Sequence, residues 1–441
     1  MSKFRPDLTR RTFLRGTAAM AAMPLVGKQD EEGQQEEAEP IVFSTLPPLK
    51  IGLVGCGGRG TGAAMQALMA EEGSVHLTAM ADVFPDRIES SLASLRAALG
   101  EERQARLQVE PEMCFTGFDA YQQVLDSGVD VVLLCTPPHF RPEQLEAAVA
   151  AGKHIFCEKP MAVDGPGVRR VLAAAEKARE AKLSLVSGFC WRYNNPHREI
   201  YKLIADGALG EIRSIYSTYN AGPNGAHARQ DGWSDMEFQL RNWFNFQWLS
   251  GDHITEQAVH SLDKMAWTMQ DVAPLSVTAI GGRQARQGAE SGNIYDHFSA
   301  TFEYPNDVKG FHMARQMVGC AFDNSDWVMG EKGVATVSAW QGIYEITGEN
   351  PWIWEGEGND MYQQEHDELF ASIRSGEPMN DGTWMAHSTM LAIMTRMSAY
   401  TGQPVTWEQA MASEDRLGPT AYSLGWVGSR RVAVPGQTKF L

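Results

Sequence analysis

The chain has 441 residues, 43% of them apolar and 21% charged, with 55 acidic against 38 basic side chains and a net charge of −17. That length supports two or three domains with ample core, and the composition is that of a globular protein. The acidic balance excludes partners whose phosphates would be repelled, namely nucleic acid and anionic membrane surfaces.

Residues 1–27 read as a leader. They carry Arg10 and Arg11 ahead of Phe13 and Leu14, then a short apolar run over 16–26. That run is too short to span a bilayer as a helix. A basic segment followed by a short apolar one is an export signal, and the arginine pair points to the twin-arginine route. The expected location is periplasmic or otherwise extracytoplasmic, without stable membrane insertion. Residues 28–47, rich in Glu and Gln, predict a disordered acidic linker.

The next stretch organises the chain. Lys50–Val54 is an apolar run typical of a buried parallel strand. It runs into Gly55-x-Gly57-Gly58-Arg59-Gly60, and a segment rich in helix formers follows. Strand, glycine turn and helix together are a dinucleotide-binding fingerprint. A second strand, 75–80, leads to Asp82, roughly 20 residues beyond the turn, where a carboxylate accepts bonds from a ribose diol. Asp82 favours NAD over NADP, because it would repel a 2′-phosphate. Arg59 is placed to meet the pyrophosphate.

Beyond it, 85–100 predicts an amphipathic helix and 118–127 a shorter one. The strand 129–135 ends in Thr136-Pro137-Pro138-His139, at the sheet edge where ligands bind. A helix over 142–151 and a strand over 154–157 lead to Glu158-Lys159-Pro160. These predict a nucleotide-binding domain over 48–165, with Thr136, Pro137, His139, Glu158 and Lys159, all at strand ends, as candidate cofactor contacts. A helix over 167–182 and a strand over 183–188 follow. Strands at 212–219, 275–281, 297–303, 309–317, 327–330 and 333–338 then predict an antiparallel sheet. A helix covers 249–269. Late helices at 364–374 and 388–401 are placed to return to the first domain. The fold class is α/β: a Rossmann-type, doubly wound parallel sheet, then a substrate and oligomerisation domain over 166–441 of α+β type with a large open, mostly antiparallel sheet. The six cysteines show no Cys-x-x-Cys spacing, so they read as free thiols with no metal site.

Four motifs, G-C-G-G-R-G at 55–60, T-P-P-H-F-R at 136–141, C-E-K-P at 157–160 and E-Q-A-V-H-S-L-D at 256–263, together resemble the Gfo/Idh/MocA oxidoreductases. The resemblance implies NAD or NADP binding and hydride exchange with a sugar or polyol carbon. Carried over residue by residue, the lysine of E-K-P falls on Lys159, which would steady an alkoxide. The acid–histidine pair falls on Glu256 and His260, with Glu in place of the family's Asp. His260 would be the general base and Glu256 would orient it. His253, Gln257 and His260 follow helical spacing and would read sugar hydroxyls. Arg192 and Tyr193, in W-R-Y-N, are further candidate substrate contacts, with Arg241 and Trp243 behind them.

Export and a dinucleotide together imply a cofactor that travels bound and is recycled in place. One scheme oxidises a sugar and reduces a second compound. Another is an NAD-dependent glycosidase, which oxidises a sugar carbon, eliminates the glycosidic bond, adds water and reduces the ketone again. A non-catalytic sugar-binding protein is the remaining alternative. The open sheet implies a homodimer or homotetramer.

Overall fold

A computed structural model describes residues 47–70 and 74–439. The leader over 1–27 and nearly all of the linker lie outside the described residues. No helix among the described residues is long and apolar enough to cross a membrane.

Six parallel strands form the first sheet: β1 (Leu49–Val54), β2 (Val75–Asp82), β3 (Cys114–Thr116), β4 (Val131–Leu134), β5 (His154–Cys157) and β6 (Leu185–Ser187), in the order β3-β2-β1-β4-β5-β6. Ile51, Leu53, all of β4, Ile155 and Phe156 are buried, because helices cover both faces of such a sheet and its strands must be apolar on both. The strand order reverses between β1 and β4, which opens the crevice where a dinucleotide lies. The fold class expected from the sequence is the one found. The domain boundary drawn at 165 falls inside a crossover: the helix Gly165–Glu180 links β5 to β6, and β6 pairs with β5 in the same sheet. The late helix Met361–Ser375 contributes Leu369 and Phe370 to the core that holds Ile51, Leu53 and Val131.

The second sheet has nine strands: β7 (Ile212–Ala221), β8 (Ser276–Gly282), β9 (His297–Glu303), β10 (Lys309–Gln316), β11 (Ser325–Gly330), β12 (Gly333–Ser338), β13 (Ile343–Gly348), β14 (Trp352–Ile353) and β15 (Val405–Thr406). Their order is β14-β13-β12-β11-β7-β10-β9-β8-β15. Every neighbouring pair is antiparallel except β7 and β10. The helices Val259–Thr268 and Gly382–Thr401 pack on one face. Along β10 the alternation is clean: Gly310, His312, Ala314 and Gln316 are buried, whereas Phe311 and Met313 are exposed on the opposite face. That outer face also carries Tyr216 opposite Phe311, stacked on Trp327 with ring centroids 5.2 Å apart.

The single helix expected over 249–269 is three pieces, Gln247–Ser250, His253–Glu256 and Val259–Thr268. Gly251 and Asp252 both have φ of 75°, which a right-handed helix cannot continue through. Asp252 is held there because its buried carboxylate accepts from the backbone N–H of His253 and Tyr295 and from the Tyr400 hydroxyl. Such strain persists only where surroundings over-determine it.

Candidate active site

The glycine turn is built for a close ligand. A Cβ at Gly55, where φ is +94°, would come within 2.7 Å of the Thr136 nitrogen, and one at Gly60 would lie 1.8 Å from the Gly55 carbonyl oxygen. Those two glycines let strand, turn and helix pack. Gly57 and Gly58 have nothing within 4 Å, so their side of the turn is open, ahead of the N-terminus of the helix Gly58–Met69. The cavity there, about 370 Å³, is lined by Gly55, Gly57, Gly58, Asp82, Thr136 and Pro137, and from the second domain by Arg241 and Trp243. An open cradle at a helix N-terminus with an acid at the end of β2 fits a dinucleotide's pyrophosphate and ribose.

Asp82 accepts from Cys56 N at 2.8 Å and Phe84 N at 3.0 Å. Burial raises its pKa above the usual carboxylate range, and the two amides oppose the rise. Arg87 lines the same wall. Replacing Asp82 with Ala therefore removes the repulsion and leaves a cation to meet a 2′-phosphate. The expected result is a relaxed NAD-over-NADP ratio of dissociation constants; an unchanged ratio would place Asp82 away from the ribose.

Two residues expected at the cofactor have partners within the protein. The Arg59 guanidinium, which also lines the cavity, bonds Glu158, Gln66 Oε1 at 2.8 Å and Glu365 Oε1 at 2.9 Å. It counters two buried carboxylates. His139 is buried against Trp248, 4.8 Å away, and its Nε2 meets the Tyr422 hydroxyl at 2.8 Å. Burial pushes its pKa down to about 3. It lies behind the cavity wall that Phe140 forms. Thr136 donates to Gln144 at 2.6 Å.

At the end of β5, Glu158 Oε2 accepts from the Lys159 backbone N–H at 3.0 Å. Lys159 Nζ donates to the Glu256 carbonyl at 2.6 Å and to Glu256 Oε1 at 3.1 Å. The structure brings Lys159 and Glu256 together, but it does not pair Glu256 with His260. The expected helical register fails because the backbone breaks at Gln257, φ −115°. The longer Glu stem serves Lys159 instead. His260 is buried edge-on to Phe189, and its Nδ1 has no hydrogen-bond partner. Burial, with Lys159 and Lys264 adding to it, holds the ring well below its ordinary pKa. The ring is therefore held toward its uncharged form.

Three of the expected substrate contacts are scaffold. Arg192 bonds both carboxylate oxygens of Asp263 and Asp271, and its guanidinium lies 4.1 Å over the Trp384 ring. The Tyr193 hydroxyl donates to Asp381 at 2.6 Å. His253 packs on Phe298 in the core, 5.1 Å between centroids, because the break at Gln257 removes it from the face of His260. Gln257 accepts from Gln316 at the end of β10. Tyr422 and Phe118, which stack 5.5 Å apart beside the cavity, carried no sequence signal, since nothing marks contacts made across so much chain. Among the described residues no cluster of metal ligands occurs and all six cysteines are free.

Fold and site together define a two-domain architecture with a dinucleotide-type cleft. A family model described as "Oxidoreductase family, NAD-binding Rossmann fold" matches residues 49–185, and one described as "GFO/IDH/MocA C-terminal domain" matches 197–336. The chain belongs to the Gfo/Idh/MocA family. It is similar to 2,7-anhydro-N-acetylneuraminate hydratase of Escherichia coli, 30% identical over 40% of this chain and 43% of that protein. It is also similar to inositol 2-dehydrogenase of Rhizobium meliloti, 25% identical over 65% of this chain and 74% of that protein. The chain spans 43% to 60% of the lengths of the first three curated relatives. Among solved structures, aldose-aldose oxidoreductase from Caulobacter crescentus, complexed with glycerol, aligns with a TM-score of 0.64 at 20% identity, over 82% of this chain and 100% of that one. Levoglucosan dehydrogenase with NADH and levoglucosan aligns at 0.63 and 17% identity, over 82% and 99%.

Proposed function

We propose that the protein is an NAD-dependent oxidoreductase that exchanges hydride with a sugar or polyol carbon and keeps its cofactor bound between turnovers. The observation that carries this is the pairing of Lys159 with Glu256 at the mouth of the nucleotide domain, beside a buried, neutral His260 whose Nδ1 lacks a partner. The names of the inositol and levoglucosan dehydrogenases to which the chain is similar agree with it.

When bound, a nicotinamide would supply the hydride acceptor. Lys159 has three N–H bonds, two of them given to Glu256; the third is available for the carbinol oxygen. His260 accepts the hydroxyl proton. An alkoxide then forms against a fixed ammonium, which is where a preorganised charge lowers the barrier. Glu256 holds the ammonium in place. Because burial depresses the His260 pKa, the ring stays unprotonated below its ordinary value of about 6.5. The expected kcat/KM profile for oxidation therefore loses activity only well below that pH; an acid limb at or above it would remove His260 as the base.

The test is direct. The purified protein is denatured and its small molecules are identified by mass spectrometry, and bound-cofactor absorbance is followed as sugars, polyols and glycosides are added. Bound NAD that a sugar converts to NADH supports the reading, and the released product distinguishes dehydrogenation from glycoside cleavage. Absence of any dinucleotide, with none binding when supplied, would overturn it in favour of a binding protein.

We further propose assembly through the outer face of the nine-stranded sheet, whose Phe311 and Met313 are exposed alongside the Tyr216–Trp327 stack. Light scattering is expected to report more than one chain per particle, and Met313→Glu to lower that number; a monomeric parent protein would refute it. Export by the twin-arginine route rests on Arg10 and Arg11. Replacing both with Lys should retain the protein in the cytoplasm, and unaltered export would reject that route.

A further inference from the structure

Beyond His260 the helix Val259–Thr268 packs on β7. Ser217 on β7 is opposite Asp326 on β11, and Asp326 meets Lys264 on the helix Val259–Thr268. Ser217 therefore faces that helix, and Tyr219, two positions on, shares its face. His260 lies four residues before Lys264, about 6 Å along the helix, and Tyr219 lies about 6.6 Å beyond Ser217. The two side chains advance together. The Ser261 hydroxyl locks this register by donating to the Thr218 carbonyl at 2.8 Å. Burial pushes the Tyr219 phenol up in pKa, and the Glu256 carboxylate adds to the rise, as expected of a neighbour of the Lys159–Glu256 pair.

From Tyr219 an aromatic group runs outward. Trp340, between β12 and β13, meets Tyr219 edge-on with centroids 5.6 Å apart, and Phe322, in the loop after β10, meets Trp340 at 6.4 Å. Trp340 is 45% exposed and Phe322 67%. Tyr219 packs against the core on its inner side, whereas Trp340 and Phe322 stand out from it. The charged side chains beside these rings are already used: Asp323 of the loop accepts from the Thr218 and Ser325 hydroxyls, and Arg315 of β10 donates to the Ala321 carbonyl. Exposed aromatic ring faces set at steep angles to one another, not charge, are what this rim offers.

We propose that Tyr219, Trp340 and Phe322 form a stacking subsite for a second sugar ring, so that the substrate of the Lys159–His260 site is a glycoside or short saccharide. The apolar C–H face of a pyranose packs on such rings while its hydroxyl edge stays in water, which is why a partly exposed aromatic rim fits it and a small free polyol leaves it unused. This rests on the sugar-oxidoreductase reading above.

The test uses the full-length protein with its bound NAD and three matched sets of probes: glucose, galactose and N-acetylglucosamine, their methyl glycosides, and disaccharides ending in each. Reduction of the nicotinamide is read by absorbance. The disaccharide of the preferred set is expected to show a KM about tenfold below that of its free sugar. Trp340→Ala should erase that advantage and leave the free sugar's KM unchanged, and Phe322→Ala should do the same in part. Reduction by free sugars with no gain from the second ring, or an equal change for both probes, overturns the subsite and leaves the oxidoreductase reading intact. No reduction by any sugar overturns both. A Trp340→Ala protein with fewer chains per particle reassigns the rim to a subunit interface and also overturns the subsite.

Discussion

Lys159→Ala is expected to abolish measurable turnover, by ~10³-fold or more, while the NAD stays bound. Removing one preorganised donor aimed at a developing oxyanion costs ~10²–10³ in kcat, about 2.7–4 kcal/mol. Here the same ammonium also holds Glu256, bonded through both its carbonyl and its carboxylate. Loss of Lys159 therefore leaves the buried Glu256 carboxylate without its cation, which further opposes a negative alkoxide. The glycine turn follows β1 and Asp82 ends β2, both outside these bonds, so the dinucleotide should remain. Bound NAD per chain and single-turnover reduction of that NAD are the measurements. Full activity in this variant would remove Lys159 from the chemistry, and loss of NAD would show that the lysine supports the fold of the cleft instead.

The largest expected effect on stability comes from Lys264→Ala. Lys264 is fully buried, and its ammonium meets Asp326, which is 1% exposed, and Asn324 Oδ1 at 3.0 Å. Breaking a buried pair by removing one partner costs about 3–5 kcal/mol, because the other charge is left uncompensated. Against a total of about 5–15 kcal/mol that is a large share. The pH dependence has a definite sign. Burial already lifts the Asp326 carboxyl to about 6, above its unfolded value, with Lys264 opposing the rise. A raised carboxyl favours the folded state when protonated and loses that contribution as pH rises through the folded value. Without Lys264 the folded value rises further, so the variant should be weaker at pH 8 than at pH 5 relative to the parent. Urea unfolding at both values measures this. Lys264→Met combined with Asp326→Leu should recover most of the loss, and a single variant as stable as the parent would show that the pair contributes nothing.

Local signals made the first domain legible. The glycine spacing, the apolar strands and the acid after β2 are short-range patterns imposed by a sheet covered on both faces. Lys159 was found the same way, at a strand end. Residues whose role depends on distant chain were not. Arg59 looks like a phosphate ligand until Glu365, on a helix returning from far along the chain, meets it. Glu256 and His260 have helical spacing, but the strained Asp252 and the break at Gln257 undo that register. Arg192 and Tyr193 look like substrate contacts because their partners Asp263, Asp271 and Asp381 lie remote in sequence. Tyr219 and Trp340 gave no signal at all, since one is an ordinary strand tyrosine and the other sits in a turn.

The nine-stranded sheet ends in two-residue strands on both sides, β14 and β15. An edge offers unpaired N–H and C=O groups to any extended segment nearby, and a short edge gives such a segment little to hold. The free rows at each end are therefore too brief to template further strands. A large sheet with a greasy outer face can in this way meet a neighbour flat against flat without also growing sideways into fibrils, even at high local concentration.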